Sequence, residues 1–337
     1  MERSRLYPKH FALVLGVSMV LFIICLLSSL AFGARWLTLP ELLEGLKPQQ
    51  TDSISANIME KRWLRTLFGL CCGAALGIAG VLMQSVTRNP LADPSILGVN
   101  TGAARFVVCG MAFLKISSPQ EYIWFALSGA TFTAIFVFGI GSLGRGGATP
   151  LKLVLAGAAT TAALSSLITA VMIPRTFVMN QFRFWQVGSV GAGTWDSLLL
   201  LLPFLVVGAL VAIFCAPGLN ALALGEEAAR GLGVKTGLLR FIAAMAGVAL
   251  CGSTTAVAGP IAFVGLLATH VIRLLLGPDL RFLIPMSALS GAVILTGSDV
   301  IGRIIGSPGE LEVGVVTAFV GAPLLILLAM KAKVRSI

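Results

Sequence analysis

Acidic residues are scarce in this chain: 14 Asp and Glu stand against 24 Lys and Arg, and charged residues of all kinds make up only 11% of its 337 residues. So little charge cannot cover a soluble globule of this length. With 57% hydrophobic residues and a mean hydropathy of +0.96, the chain reads as an integral membrane protein. Histidine is nearly missing, with only His10 and His270, and neither lies near the six cysteines, Cys25, Cys71, Cys72, Cys109, Cys215 and Cys251. The cysteines sit in apolar stretches without paired metal-ligand spacing, so they read as small core residues, and neither a metal nor a cofactor is predicted. No G-x-x-x-x-G-K-[ST] occurs, so the chain has no phosphate loop for nucleotide hydrolysis. No carboxylate falls in the middle of an apolar run, since Asp196 and Asp299 lie towards the ends of theirs. An ion-coupled carrier therefore has few candidate residues.

What the chain has in quantity is apolar runs. At about 20 residues per helical span, 337 residues hold about ten, which makes residues 1–337 a single all-α transmembrane domain. The first run, Phe11 to Gly33, is too long for a signal peptide and follows Arg3, Arg5 and Lys9, which place the N-terminus in the cytoplasm. The other spans are expected near 60–86, 99–114, 122–143, 151–172, 197–215 and 239–257, from Gly259-Pro260 onward, and near 283–301 and 313–330. This arrangement puts 14 Lys and Arg inside and nine outside, with Arg105 within a span, and leaves both termini cytoplasmic. The net charge of +10 thus reflects membrane orientation, with lipid and not nucleic acid as the partner.

Local signals refine the pattern. Thr38 to Glu41 and Ser118 to Glu121 read as capping boxes, the first opening a short helix through Leu46. Gly69, Gly73 and Gly77 share one face of span two and permit close approach by another helix. Gly144 to Gly147, with Arg145, forms a basic turn. Span five is rich in Ala, Thr and Ser, which suit either tight packing or a pore lining. Ile173 to Trp195 is polar enough to be an outer loop. Between spans six and seven, Leu222 to Val234 forms a polar island after Asn220, a possible cap, with Gly231 and Gly233 as stops; it is expected to be a short surface helix with Ala228, Ala229 and Leu232 along one side. On its own the stretch reads better as an ordinary solvated loop.

Several motifs together resemble one family. Residues 87–98, TRNPLADPSILG, force the chain out of helix with two prolines. With Arg62, Arg65, Gly80 and Gln84 before it and Gly102 after it, the stretch closely resembles the signature of ABC importer permeases of the iron-chelate and cobalamin uptake family. Its signature residues are Arg88, Asn89, Pro90, Leu91, Asp93, Pro94 and Gly98. Trp185 to Ser189, Ala262 to Leu266, Gly277 to Arg281, Glu312 to Thr317 and Gly321 to Pro323 also resemble that family. One departure is Ala268-Thr269 before His270, where the family has a proline, which puts a kink there in doubt.

The resemblance implies a type II ABC importer permease fold and a transport subunit that is not itself an enzyme. It implies a second permease, identical or related, two cytoplasmic ATPase subunits, and an extracellular or periplasmic substrate-binding protein, in a bacterial or archaeal cell membrane. The coupling segment, about 218–237, would present Glu226, Glu227, Ala228, Ala229, Arg230, Gly231, Leu232 and Gly233 to the ATPase. Arg62, Arg65 and Arg303 match positions where the family offers arginines to acids on the binding protein, although ordinary interfacial arginines would also lie there. His270 is expected to make a local hydrogen bond or to take part in coupling. The implied cargo is a ferric siderophore, with haem or cobalamin as alternatives; an ion-coupled secondary transporter is the other class.

Overall fold

The computed structural model describes residues 3–33, 54–144 and 149–334. The expected helix between Thr38 and Leu46 and most of the Gly144 to Gly147 turn lie outside them. All regular structure among the described residues is helical: α1 (Arg3–Ala31), α2 (Ile54–Thr87), α3 (Val99–Cys109), α4 (Pro119–Ser142), α5 (Pro150–Met172), α6 (Thr176–Gln186), α7 (Trp195–Ala223), α8 (Glu226–Gly231), α9 (Thr236–Ala258), α10 (Val264–Leu276), α11 (Leu280–Ile305) and α12 (Val313–Val334). Seven of these are long and apolar enough to cross a membrane, and three shorter apolar helices, Val99–Leu114, Val264–Leu276 and Val313–Leu327, complete the expected ten. The first of the three continues α3 through a π-helical turn, Gly110–Leu114.

Helices α2 and α9 form the middle of the bundle, with 78% and 72% of their apolar windows buried, against 11% for α1 and for α5. Small residues make this packing possible. A Cβ on Gly73 would stand 2.4 Å from the Gly291 carbonyl oxygen, one on Gly77 2.1 Å from that of Ser287, and one on Gly80 2.4 Å from that of Gly265. Backbone therefore lies on backbone along α2, α11 and α10, and the expected glycine face of span two is used up inside the chain.

Three local expectations need correction. Residues 173–195 are not simply a loop: they contain α6, whose Val178 and Phe182 are buried and whose Gln181 donates to the Tyr122 hydroxyl. The eighth span starts at Val264, because Gly259 to Phe263 are not helical and Gly259 and Phe263 both adopt positive φ. Helix α10 then runs as one helix through Ala268 and Thr269, in keeping with the missing proline. Asn220 caps nothing in the polar island. It lies inside α7, donates to the Asp279 carboxylate at 2.8 Å and accepts from the Leu280 amide at 3.1 Å, while Gly225, at φ 127°, is the N-cap of α8. The capping box at Ser118 and Glu121 forms as expected.

Candidate functional site

The proline-rich signature folds back between helices. Each turn of the loop is stitched locally: the Leu91 amide donates to Asn89 Oδ1 at 3.0 Å, and the Ser95 amide to Asp93 Oδ1 at 3.0 Å, which caps a 3-10 turn over Pro94–Leu97. Gly98, at φ 72°, ends that turn and starts α3, a left-handed position that favours glycine. Thr255 donates to Asn100 Oδ1 at 2.9 Å, so α3 begins beside the second half of α9. Gly265 packs on Gly80, so α10 begins about two turns short of the end of α2. Both segments interrupt the helical run, and in the signature loop side chains of the loop itself satisfy backbone amides.

One end of the bundle gathers Arg62, Arg65 and Arg303, which lie 31 or more positions from α1 and up to 241 from one another in sequence. Arg62 is 7% exposed, and its Nη1 donates to the carbonyls of Leu30 and Ala31 at 2.7 and 2.9 Å, the open end of α1. Arg303, 2% exposed, donates to the carbonyls of Ser29 and Phe32 and to the Ser29 hydroxyl. Its Nε lies 3.1 Å from Asp299, an ion pair without a well-aligned hydrogen bond. Arg65 grips the same carboxylate with two nitrogens, at 3.0 Å from Nε and 2.7 Å from Nη2, and turns Nη1 to the more exposed Glu310 at 2.7 Å. Asp299 is thus the hub of this end, a role sequence reasoning missed, since its partner Arg65 lies 234 positions away. An open cavity of about 730 Å³ is lined by Lys61, Arg62, Arg65, Arg303 and Glu310.

The opposite end carries α8. Glu226 pairs with Arg230 at 2.8 Å and with buried Arg240 at 3.0 Å, which ties the short helix to the start of α9. Burial pushes the Glu226 carboxyl up, but Arg240, Arg230 and Arg88 together outweigh that and hold it below the usual carboxylate range. The outward face differs from the expected one. Ala229 is fully buried against its own chain, whereas Glu227, Ala228, Arg230, Gly231, Leu232 and Gly233 are exposed, and Leu224 beside them is 75% exposed. The helix ends at Gly231, and Gly233 adopts φ 81°. The ion pairs of Glu226 hold a knob that leaves Leu224, Ala228 and Leu232 outward.

Between the two ends, α5 offers a different surface. Ala158, Ala162, Ser165, Ser166, Thr169 and Ala170 form one exposed stripe, and Ser166 and Thr169 bond back to carbonyls of their own helix. The stripe is small and polar, unlike the Leu, Val and Phe of the exposed face of α7. Of the alternatives left open for span five, tight packing within the chain does not describe this face. Among the described residues no cluster of His, Cys, Asp or Glu is arranged to hold a metal ion, and all six cysteines are free thiols.

Comparison with known proteins agrees with this architecture. Residues 21–331 match the FecCD transport family. The chain is 41% identical to the ferric enterobactin transport system permease protein FepD of Escherichia coli over 93% of each chain, and 38% identical to the Fe(3+)-citrate import system permease protein YfmD of Bacillus subtilis over 94% of each. A solved inward-facing structure of a metal-chelate type ABC transporter superposes with a TM-score of 0.82 at 28% identity, over 96% of this chain and 100% of that one. Ten apolar helices, two interrupted segments and the match over residues 21–331 lead to one assignment: the chain is a multi-pass membrane transport subunit and belongs to the FecCD transport family.

Proposed function

We propose that this chain is the permease of an ATP-driven importer of iron chelates, with a ferric siderophore as cargo and the energy supplied by a separate ATPase. The observation that carries this reading is the exposed knob around α8: a chain without a phosphate loop holds a short helix rigidly at one end, through Glu226, Arg230 and Arg240, in a form suited to receive a push. That end, with both chain termini, faces the cytoplasm, where the ATPase pair docks on Glu227, Ala228, Arg230, Gly231, Leu232 and Gly233. The cargo class follows from relatives named for ferric enterobactin and Fe(3+)-citrate.

The same reading assigns the other two surfaces. A second permease covers the small, polar stripe of α5, and the cargo passes between the two copies; the glycine face of α2 cannot serve, since α11 and α10 already occupy it. The substrate-binding protein docks over the cavity lined by Lys61, Arg62, Arg65 and Arg303. Arg65 is the contact for a partner's acid, because its Nη1 faces the rim, whereas Arg62 and Arg303 hold the wall and supply positive field.

The test is reconstitution in vesicles. Uptake of a labelled ferric siderophore is expected only when the chain, its ATPase, the binding protein and ATP are all present. Uptake by the chain alone under an ion gradient would establish a secondary transporter instead. Cross-linking between cysteines placed at Ala162 in two copies is expected to succeed, and its failure in an active assembly would remove α5 from the interface.

A further inference from the structure

At the Glu226 end, α2, α7 and α10 enclose an open cleft of about 240 Å³, lined by Gln84, Arg88, Asn220, Arg273 and Pro278 among others. At about 30 Å³ per water, that is room for a group larger than a single solvent molecule. The polar groups around it are left incomplete. Gln84 is 2% exposed, yet neither the nitrogen nor the oxygen of its amide has a partner among the described residues, and Arg273 Nε also has none. Arg273 has no ion pair among the described residues, and Arg88 spends one nitrogen on the Leu222 carbonyl. The nearby acids are engaged elsewhere: Asp279 accepts from Asn220 and from the Arg281 amide, and Glu226 is held by Arg230 and Arg240.

Two guanidinium groups and an orphaned amide around one cleft form a receptor for an oxyanion. A buried amide without partners carries an uncompensated loss of hydration, which an occupant offering both an acceptor and a hydroxyl would recover. We propose that this cleft binds a phosphate-bearing anion, with Arg88 and Arg273 facing its charged oxygens and Gln84 its oxygen and hydroxyl. Arginine forks suit phosphate, and basic clefts between helices at this side of a membrane are where anionic headgroups dock. Because Arg88 bonds to the last turn of α7, one turn before α8, the anion would stitch the ends of α2, α7 and α10 and fix the root of the α8 knob.

The proposal stands on the cleft alone and is tested without partners. The delipidated full-length chain in a neutral detergent is titrated with short-chain phosphatidylglycerol, with zwitterionic phosphatidylcholine, and with inorganic phosphate against chloride or acetate at equal ionic strength, following thermal unfolding and retained lipid by native mass spectrometry. Phosphatidylglycerol is expected to bind and stabilise the wild type and to lose at least about tenfold in affinity in Arg273→Gln and in Gln84→Leu. Arg281→Gln, outside the cleft, should bind as the wild type does. Competition by inorganic phosphate assigns the site to free phosphate as well, whereas binding of phosphatidylglycerol alone assigns it to the lipid headgroup. Without any anion, Gln84→Leu should melt no lower than the wild type, since it removes two unpaired amide atoms, so its loss of binding is not loss of fold. Wild-type affinity in both cleft variants, no binding by the wild type, or equal competition by acetate would each overturn the assignment.

Discussion

Replacing Asp299 by Asn tests whether one carboxylate holds the arginine end together. The carboxylate is about 4% exposed, faces Arg65 through two nitrogens at 3.0 and 2.7 Å, and has Arg303 Nε at 3.1 Å. Asn keeps the shape, but it removes the charge and turns an amide donor towards guanidinium donors. Buried Arg303 and half-buried Arg65 are then left, among the described residues, with no acid other than Glu310, which pairs with Arg65. Breaking a buried ion pair from one side costs about 3–5 kcal/mol, a factor of about 10² to 4 × 10³ in the folded-to-unfolded ratio at about 1.4 kcal/mol per decade. Glu310→Gln removes the charge of one ion pair from a side chain that is 41% exposed, so solvent screening limits its cost to below about 1 kcal/mol. Buried cysteines supply the readout, since Cys25, Cys72, Cys215 and Cys251 should react with a thiol dye only as the chain opens. The Asp299→Asn loss should persist in high salt, because the pair is shielded from mobile ions, while the Glu310→Gln loss should shrink. Asp299→Leu combined with Arg303→Met should recover part of the stability, but not all, because Arg303 also closes the end of α1. Equal melting of Asp299→Asn and Glu310→Gln would refute the view of Asp299 as the hub.

Other expectations follow from packing and charge. Gly77→Ala drives a methyl into the Ser287 carbonyl and should cost about 1–3 kcal/mol or more, while Gly139→Ala, with nothing within 4 Å, should be neutral or stabilising; similar melting of the two would show that α2 and α11 separate freely. Leu232→Asp should leave thermal stability unchanged and abolish retention of the ATPase on the chain, whereas Ala229→Leu should lower stability itself; unimpaired ATPase retention by Leu232→Asp would move the docking face elsewhere. The Glu226 carboxyl titrates lower in the fold than its ordinary value of 4.5, so its contribution is present above that value and is lost as pH falls through the depressed one. Hydrogen exchange in residues 224–236 should therefore quicken at acid pH in the wild type, and the same pH step should have no such effect in Glu226→Gln.

Much of this was legible in sequence because a bilayer demands long apolar helices, and such runs can be counted without knowing their neighbours. Span number, the capping box at Ser118, the close-packing glycines of α2 and the departure from helix at Asn89-Pro90 all come from local chemistry. The partners of those features did not. Arg62, Arg65 and Arg303 were recognisable as a set at one end, yet only the fold shows them turned inward onto α1 and Asp299. Ala228 and Ala229 are the same residue type one position apart, and which faces outward depends on how Glu226, Arg230 and Arg240 orient a helix of six residues. Asn220 looked like a cap because its residue type favours caps; α11 supplies it with better partners at Asp279 and Leu280. The sequence alone determined the membrane class, the helix count and the family, since these depend on composition, periodicity and motif. The tertiary structure decided which polar groups are satisfied and which glycine face is spent, because hydrogen bonds and backbone contacts form between residues as far apart as Arg65 and Asp299, whose distance along the chain says nothing of their distance in space.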